Sequence, residues 1–485
     1  MITQALEIAV WSATVLYISI IAVTVITLII DKRDPVKTLS WIIVMTMLPV
    51  VGIMLYIMFG QNFRKRKIFK QKGRLNSDRI DSIISRQLYT VNSPLTLNHA
   101  EVTANRDVIT LLLNACRAPI TYNNDIRILN DGTETFETIF EEILKAQSSI
   151  HVEYYIIRDD TLGRAFADLL CAKAAEGVEV RLIYDSIGSL GLSRRYIRQL
   201  QNAGVEVEEF MPVIFPLFTS KINYRNHRKI IVIDGKIAFT GGLNVADKYI
   251  TGTPKLGDWR DTHLRIEGKA AHTLQAVFIT DWLFVHHVQL DEELYFAKTE
   301  SKEGVAMQIA SSGPDSDWAS IMQGYFSAIT KAKNHIYIST PYFLPNEALL
   351  TAIKVASLGG VDVRIMLPFR SDSKIVYWAT RSYISELVEA GVKVYLYYGG
   401  FNHSKLLMID SMMSSIGTAN MDIRSFEDNF EVSALIYNSL KTIELEERFL
   451  ADLEKATLIV SSDWEVRPTR HRFYEAFARL LSPLL

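Results

Sequence analysis

Two runs near the N terminus contain no charged residue, Ile8 to Ile30 and Thr38 to Gly60. At about 1.5 Å of rise per residue, each is long enough as a helix to cross a hydrocarbon core of roughly 30 Å. The pattern predicts two transmembrane helices joined by the polar link Asp31 to Lys37. Pro49 and Gly52 leave a kinked or re-entrant path open for the second. A cleaved signal peptide fits poorly, because Glu7 is the sole charge ahead of the first run and no small-residue cleavage site follows. No lysine or arginine precedes the first run. The link holds Lys32, Arg33 and Lys37, and Arg64, Lys65, Arg66, Lys67, Lys70, Lys72 and Arg74 follow the second. The denser cluster is expected on the cytoplasmic side, against anionic head groups, with both termini there.

Beyond a polar, weakly patterned stretch the periodicity changes. Runs rich in Val, Ile and Tyr alternate with helical runs such as LGRAFADLLCAKAAEG, the pattern of α/β units. The pattern occurs twice. SIHVEYYII (149–157), GVEVRLIYD (177–185), AGVEVEEF (203–210) and NHRKIIVIDGKIAFTGGLN (226–244) return as HIYISTPYF (335–343), GVDVRIMLP (360–368), AGVKVYLYY (390–398) and NHSKLLMIDSMMSSIGTAN (402–420). The expected organisation is a membrane anchor over 1–62, a basic juxtamembrane linker over 63–107, and two α/β halves over 108–300 and 301–485. Two copies of one unit pack about a pseudo-two-fold axis, so equivalent residues can meet at one site.

The repeated segment carries the chemistry. His227, Lys229, Asp234, Gly241, Gly242 and Asn244 are matched at identical spacing by His403, Lys405, Asp410, Gly417, Thr418 and Asn420. Residues two apart on a strand share a face, so each His and its Lys point the same way. Asp234-Gly235 is a turn pair that sends the chain back along Ile237 to Thr240. Facing copies would collect two imidazoles, two ammonium groups and two amides around one point, a cage for a phosphate. One imidazole is then the natural nucleophile and the other the proton donor to the leaving alkoxide. No metal or other cofactor is expected. Each imidazole needs a carboxylate on its other nitrogen, and Asp261 and Glu431, downstream of the asparagines, are the candidates. Asp234 and Asp410 are either part of the catalytic set or architectural.

The net charge of −2 gives no global sign of nucleic-acid binding, and no basic patch interleaved with aromatics occurs outside the juxtamembrane cluster. Cys116 and Cys171 sit in apolar helical stretches and read as buried thiols.

The paired H-x-K-x4-D-x6-G-[GT]-x-N pattern resembles the phospholipase D superfamily. TLSWIIVMTMLPVVGIMLYIMFG followed by RKRK, with HVEYYIIRDD, GDWRDTHLRI, STPYFLP, GTANMDIRSFEDNFEV and ARLLSPLL, narrows the resemblance to bacterial cardiolipin synthases. One departure is Asn402, where that family usually has an apolar residue; it adjoins the site and bears on acceptor fit. The resemblance implies transfer of a phosphatidyl group from one phosphatidylglycerol to another, giving cardiolipin and glycerol. It also implies that His227 carries the group, that His403 is the acid and base, and that the enzyme sits in the bacterial inner membrane with its catalytic domain in the cytoplasm. The apolar loop Met211 to Phe218 would either rest in the membrane interface or pack in the core. Oligomeric state is left open.

Overall fold

The computed structural model describes residues 2–30, 35–48, 51–56, 77–92, 99–213, 223–290, 292–297 and 304–482. Met1–Ile68 with Val213–Tyr224 form one compact unit, and Phe69–Pro212 with Arg225–Leu485 form the other. In the first, Ile2–Ile30 is one helix, and Pro35–Met47 and Val51–Leu55 are two more. The described part of the second apolar run thus falls in the last two of these helices. Among the described residues no helix is long and apolar enough to cross a membrane. The basic cluster Arg64 to Arg74 and residues 214–218 of the apolar loop lie outside the described residues.

The second unit holds both halves. The first half contributes β1 (Thr121–Asp131), β2 (Ser149–Tyr154), β3 (Glu179–Asp185), β4 (Glu206–Phe210), β5 (Lys229–Ile233), β6 (Ile237–Gly241) and β7 (Trp259–Glu267). The second contributes β8 (Val305–Ser312), β9 (His335–Ser339), β10 (Phe343–Leu344), β11 (Asp362–Pro368), β12 (Lys393–Tyr397), β13 (Phe401–Asn402), β14 (Leu406–Ile409), β15 (Met413–Gly417), β16 (Met421–Asp422), β17 (Glu431–Tyr437) and β18 (Ala456–Leu458). β1 and β8 pair antiparallel and join the halves into one sheet. Outward from that pair the order is β1-β7-β6-β5-β2-β3-β4 on one side and β8-β17-β15-β14-β9-β11-β12 on the other. The two orders correspond strand for strand, which is the expected pair of α/β repeats; β18 extends the second.

Helices cover both faces. Apolar residues of the helices Lys269–His286 and Ser439–Leu453 (Leu274, Leu445, Phe449) share one core with Ile230, Leu264, Met307, Met408 and Val432 from the sheet. The opposite face is divided, with one core under each half. The expected linker is corrected in part: its helix Ser77–Asn92 and the segment Ala100–Ala104 bury Ile84 and Val102 in the core of the second half. The helix Arg106–Cys116 does the same through Ile109, Leu112 and Leu113, although it precedes β1. Ile80, Ile84 and Leu88 recur at helical spacing there, too sparse a stripe to stand out among polar residues. Cys116 and Cys171 are free and only partly buried.

Candidate active site

Each H-x-K segment leads into a hairpin strand, and its position is fixed by the opposite half. Asn226 bridges Phe430, and the His227 N–H donates to the Phe430 carbonyl at 2.9 Å. Symmetrically, β13 pairs parallel with β7 at Trp259 and Arg260, and the His403 N–H donates to the Arg260 carbonyl at 2.7 Å. Phe430 and Arg260 immediately precede Glu431 and Asp261. Each imidazole therefore lies beside the carboxylate of the other half. His227 Nδ1 is 3.0 Å from Glu431, and His403 Nδ1 is 2.7 Å from Asp261. Bonding at Nδ1 orients the ring and leaves Nε2 for reaction.

The lysines complete the cluster. Lys229 Nζ donates to the His227 carbonyl at 2.7 Å, and Lys405 Nζ donates to the His403 carbonyl at 2.5 Å while lying 3.1 Å from His403 Nε2. Lys405 acts electrostatically on His227, and Lys229 and His227 act on His403, so the two copies share one site. Both carboxylates are fully buried and both imidazoles nearly so. Asn244 accepts from the Ile156 N–H at 3.1 Å and donates to the Tyr249 hydroxyl at 2.7 Å. Asn420 is buried with its side-chain oxygen unpartnered.

Asp234 and Asp410 are not brought to this cluster. Each opens a turn with φ near +50° at the far end of its strand and accepts backbone N–H groups of the segment leading into β2 or β9. Asp234 takes those of Gln147, Ser148 and Ser149, and Asp410 those of Lys333, Asn334 and His335, at 2.7–3.2 Å. Left-handed backbone suits aspartate better than most residues, and the carboxylate satisfies donors that the strand edge leaves open. Of the two roles the sequence left open for Asp234 and Asp410, these contacts fit the architectural one, and their place in the catalytic set is corrected accordingly. Asn402 is committed in the same way as Asn226. It donates to Ser339 Oγ at 2.8 Å and accepts from the Ser404 N–H at 3.1 Å, as Asn226 donates to Glu153 and accepts from the Arg228 N–H.

The sequence reading missed the supports. Arg228 pairs with buried Asp281 and donates to the Glu431 carbonyl at 3.3 Å. The Thr418 hydroxyl bonds the Glu431 carboxylate. A Cβ at Gly242, the equivalent of Thr418, would fall 2.0 Å from an Asp261 oxygen. The paired changes Gly242 to Thr418 and Asp261 to Glu431 were the available signal. Aromatic rings wall the histidines: Tyr155 is 4.9 Å from His227, and Trp259 is 5.2 Å from His403. Among the described residues no group of three or more His, Cys, Asp or Glu could hold a metal ion.

Burial dominates the electrostatics. It lowers His227 to about 4 against the opposing pull of Glu431, and it lowers His403 well below the usual range together with the charge on Lys405. Burial likewise brings Lys229 down to about 7 and Lys405 to about 8, with Glu431 and Asp261 respectively opposing. Burial works against the Glu431 carboxylate, but His227 and Lys229 hold it below its ordinary value. At neutral pH His227 is thus neutral beside an ionised carboxylate, the state required of a nitrogen nucleophile. The lysines attract a phosphate while protonated and lose that attraction as pH rises through about 7 to 8. A dialkyl phosphate keeps one charge across this range. Its inhibition constant is expected to weaken by about tenfold or more from pH 6 to pH 9; a flat profile would place the lysine charges elsewhere.

A family model described as the phospholipase D-like domain of cardiolipin synthase matches residues 139–282 and 325–453, and a phospholipase D-nuclease N-terminal model matches 15–61. A cardiolipin synthase of a Geobacillus species is 43% identical over 460 residues, covering 94% of this chain and 90% of that protein. One from Oceanobacillus iheyensis is 41% identical over 471 residues, covering 96% and 97%. Among solved structures, the phosphatidylserine synthase of Haemophilus influenzae aligns with a TM-score of 0.59 at 16% identity, covering 79% of this chain and all of that one; it is similar in fold.

Proposed function

The chain belongs to the cardiolipin synthase family of phospholipase D-like proteins, and we propose that it transfers a phosphatidyl group between two phosphatidylglycerol molecules, giving cardiolipin and glycerol. The observation that carries this reading is the single buried cluster built from both H-x-K copies, with each imidazole held by the other half's carboxylate. Burial and the lysine charges disfavour a proton on His403, and the negative charge of a phosphate held in the cage offsets them; His227 Nε2 then attacks phosphorus as the protonated His403 gives its proton to the departing glycerol oxygen. The acceptor hydroxyl then attacks the phosphohistidine, His403 takes its proton, and the P–N bond breaks. Lys229, Lys405, Asn244 and Asn420 hold the phosphate oxygens, and Glu431 and Asp261 fix the ring tautomers.

Breaking one phosphodiester makes another of nearly the same kind, so the reaction runs both ways. Purified protein given cardiolipin and excess labelled glycerol, without nucleotide and with chelator present, is expected to return labelled phosphatidylglycerol. Release of phosphatidic acid alone would mark a hydrolase, and a strict need for a cytidine-activated lipid would mark a different transferase.

The reading includes a two-span anchor in the bacterial cell membrane. The charge-free runs support it, as does the helix Ile2–Ile30, which exposes Ile8, Trp11, Leu16, Ile18, Val23 and Ile26 over one broad face while Leu28 packs against Met45 and Tyr56; water disfavours such a face and lipid does not. The basic residues after Gly60 orient the catalytic halves to the cytoplasm and toward anionic lipid. A reporter active only outside the cytoplasm, fused after Leu485, is expected to be silent; strong activity would reverse the orientation.

A further inference from the structure

The cage neutralises one phosphate, yet the reaction brings two anionic lipids together. In the product, three carbons and two oxygens separate the phosphorus atoms, so the second phosphate sits close to the cage whenever the acceptor hydroxyl reaches its target. A second cationic place is therefore required on the side from which the acceptor enters.

Lys248 lies beside His403 and Arg158 beside the strand end that carries Asn244, and among the described residues neither forms an ion pair. Lys248 Nζ is 4.8 Å from the centre of the Trp259 ring and 5.0 Å from that of Tyr249. The Trp259 ring is itself 5.2 Å from that of His403. Among the described residues the Lys248 ammonium makes no hydrogen bond or ion pair, and the buried Trp259 indole N–H has no acceptor. Arg158 follows Ile157, which bridges Val245 next to Asn244. Its backbone N–H donates to the Val245 carbonyl at 3.0 Å, three residues before Lys248, its guanidinium packs on Gly191, where a Cβ would lie 2.5 Å from Nη1, and its charge opposes that of Lys248.

The carboxylates nearby are engaged. Asp160 and Asp247 accept backbone N–H groups, Asp159 pairs with Arg164, and both oxygens of Asp372 take the Tyr342 hydroxyl at 2.8 Å. Asp372 is the one carboxylate that also attracts Lys248. The repeat supplies a contrast. Lys248 stands four residues after Asn244, and Arg424 stands four after Asn420. Arg424 acts on Tyr155, whose ring packs on His227, so it belongs to the other side of the cage.

We propose that Lys248 and Arg158 form a second anion site on the His403 side of the cage, which takes the phosphate of the acceptor lipid and delivers its hydroxyl to His403. The inference rests on the synthase reading above. It predicts that the pair acts on the choice of acceptor. Transfer to glycerol, which has no phosphate, needs the cage alone; transfer to a second phosphatidylglycerol needs both sites.

The test uses the full chain in mixed micelles of phosphatidylglycerol, with labelled glycerol present, so that cardiolipin formation and glycerol exchange are read in one reaction. Lys248→Met, and Lys248→Met with Arg158→Met, are expected to lower the ratio of cardiolipin to exchange at least tenfold, and Lys248→Arg to restore it. The variants should also lose the preference for phosphatidylglycerol over monoacylglycerol as acceptor. An unchanged ratio, or equal losses in both reactions, would overturn the proposal. So would a ratio shift from Arg424→Met with none from Lys248→Met, which would put the acceptor on the His227 side. Wild-type protein that exchanges glycerol and makes no cardiolipin would defeat the synthase reading, and this site with it, before any variant is compared.

Discussion

His227→Ala and His403→Ala are each expected to reduce cardiolipin formation by roughly four to six orders of magnitude, and the double variant to lose almost nothing more. Groups that act as one unit are non-additive, because removing the first already abolishes the step in which the second participates. The geometry makes them one unit. Each imidazole is held at Nδ1 by the other half's carboxylate, and both sit in the field of both lysines. The measurement is initial-rate synthesis by the two single variants and the double variant. Partial losses that multiply in the double variant would mean two independent sites, one per half.

The crossed pairing sets up the second large effect. Glu431→Gln and Asp261→Asn preserve shape and remove charge, so each ring loses the partner that fixes its tautomer, at a cost of roughly 10³- to 10⁴-fold. The two losses should fall on different steps. Glu431 holds His227, so its amide should block formation of the covalent intermediate. Asp261 holds His403, so its amide should impair the proton transfers instead. With a phosphatidyl ester of nitrophenol, which leaves without an acid, Asp261→Asn is expected to give a burst of nitrophenol followed by slow turnover. Glu431→Gln should give no burst. The opposite pattern would mean that His403 carries the phosphatidyl group.

Much of this protein is written locally. Continuous apolar runs of strand length predicted β5 and β14, and the hairpin turns after them fall at Asp234-Gly235 and at the matching Asp410-Ser411. The identical spacing of two H-x-K copies predicted that their side chains share a site, because a repeat folds into equivalent units whatever lies between them. The helices Ser77–Asn92 and Arg106–Cys116 were harder to place, since a helix with a thin apolar stripe does not say which core it will cover.

The chain order also left open which carboxylate serves which histidine. Asp261 and Glu431 each lie closer in sequence to the histidine of their own half, and Asp234 and Asp410 could belong to the catalytic set or to the framework. Sequence by itself determined the repeat, the strand-and-turn framework and the residue types needed to hold a phosphate. These follow from periodicities of a few residues, where backbone geometry alone dictates direction. Only the tertiary structure decided the partners. His227 meets Glu431 across 204 positions and His403 meets Asp261 across 142, because β13 pairs with β7 and Asn226 bridges Phe430 between the halves. It likewise moved Asp234 and Asp410 out of the chemistry, since a strand carries a residue five positions onward to its opposite end, where the free backbone N–H groups of the neighbouring strand claim the carboxylate.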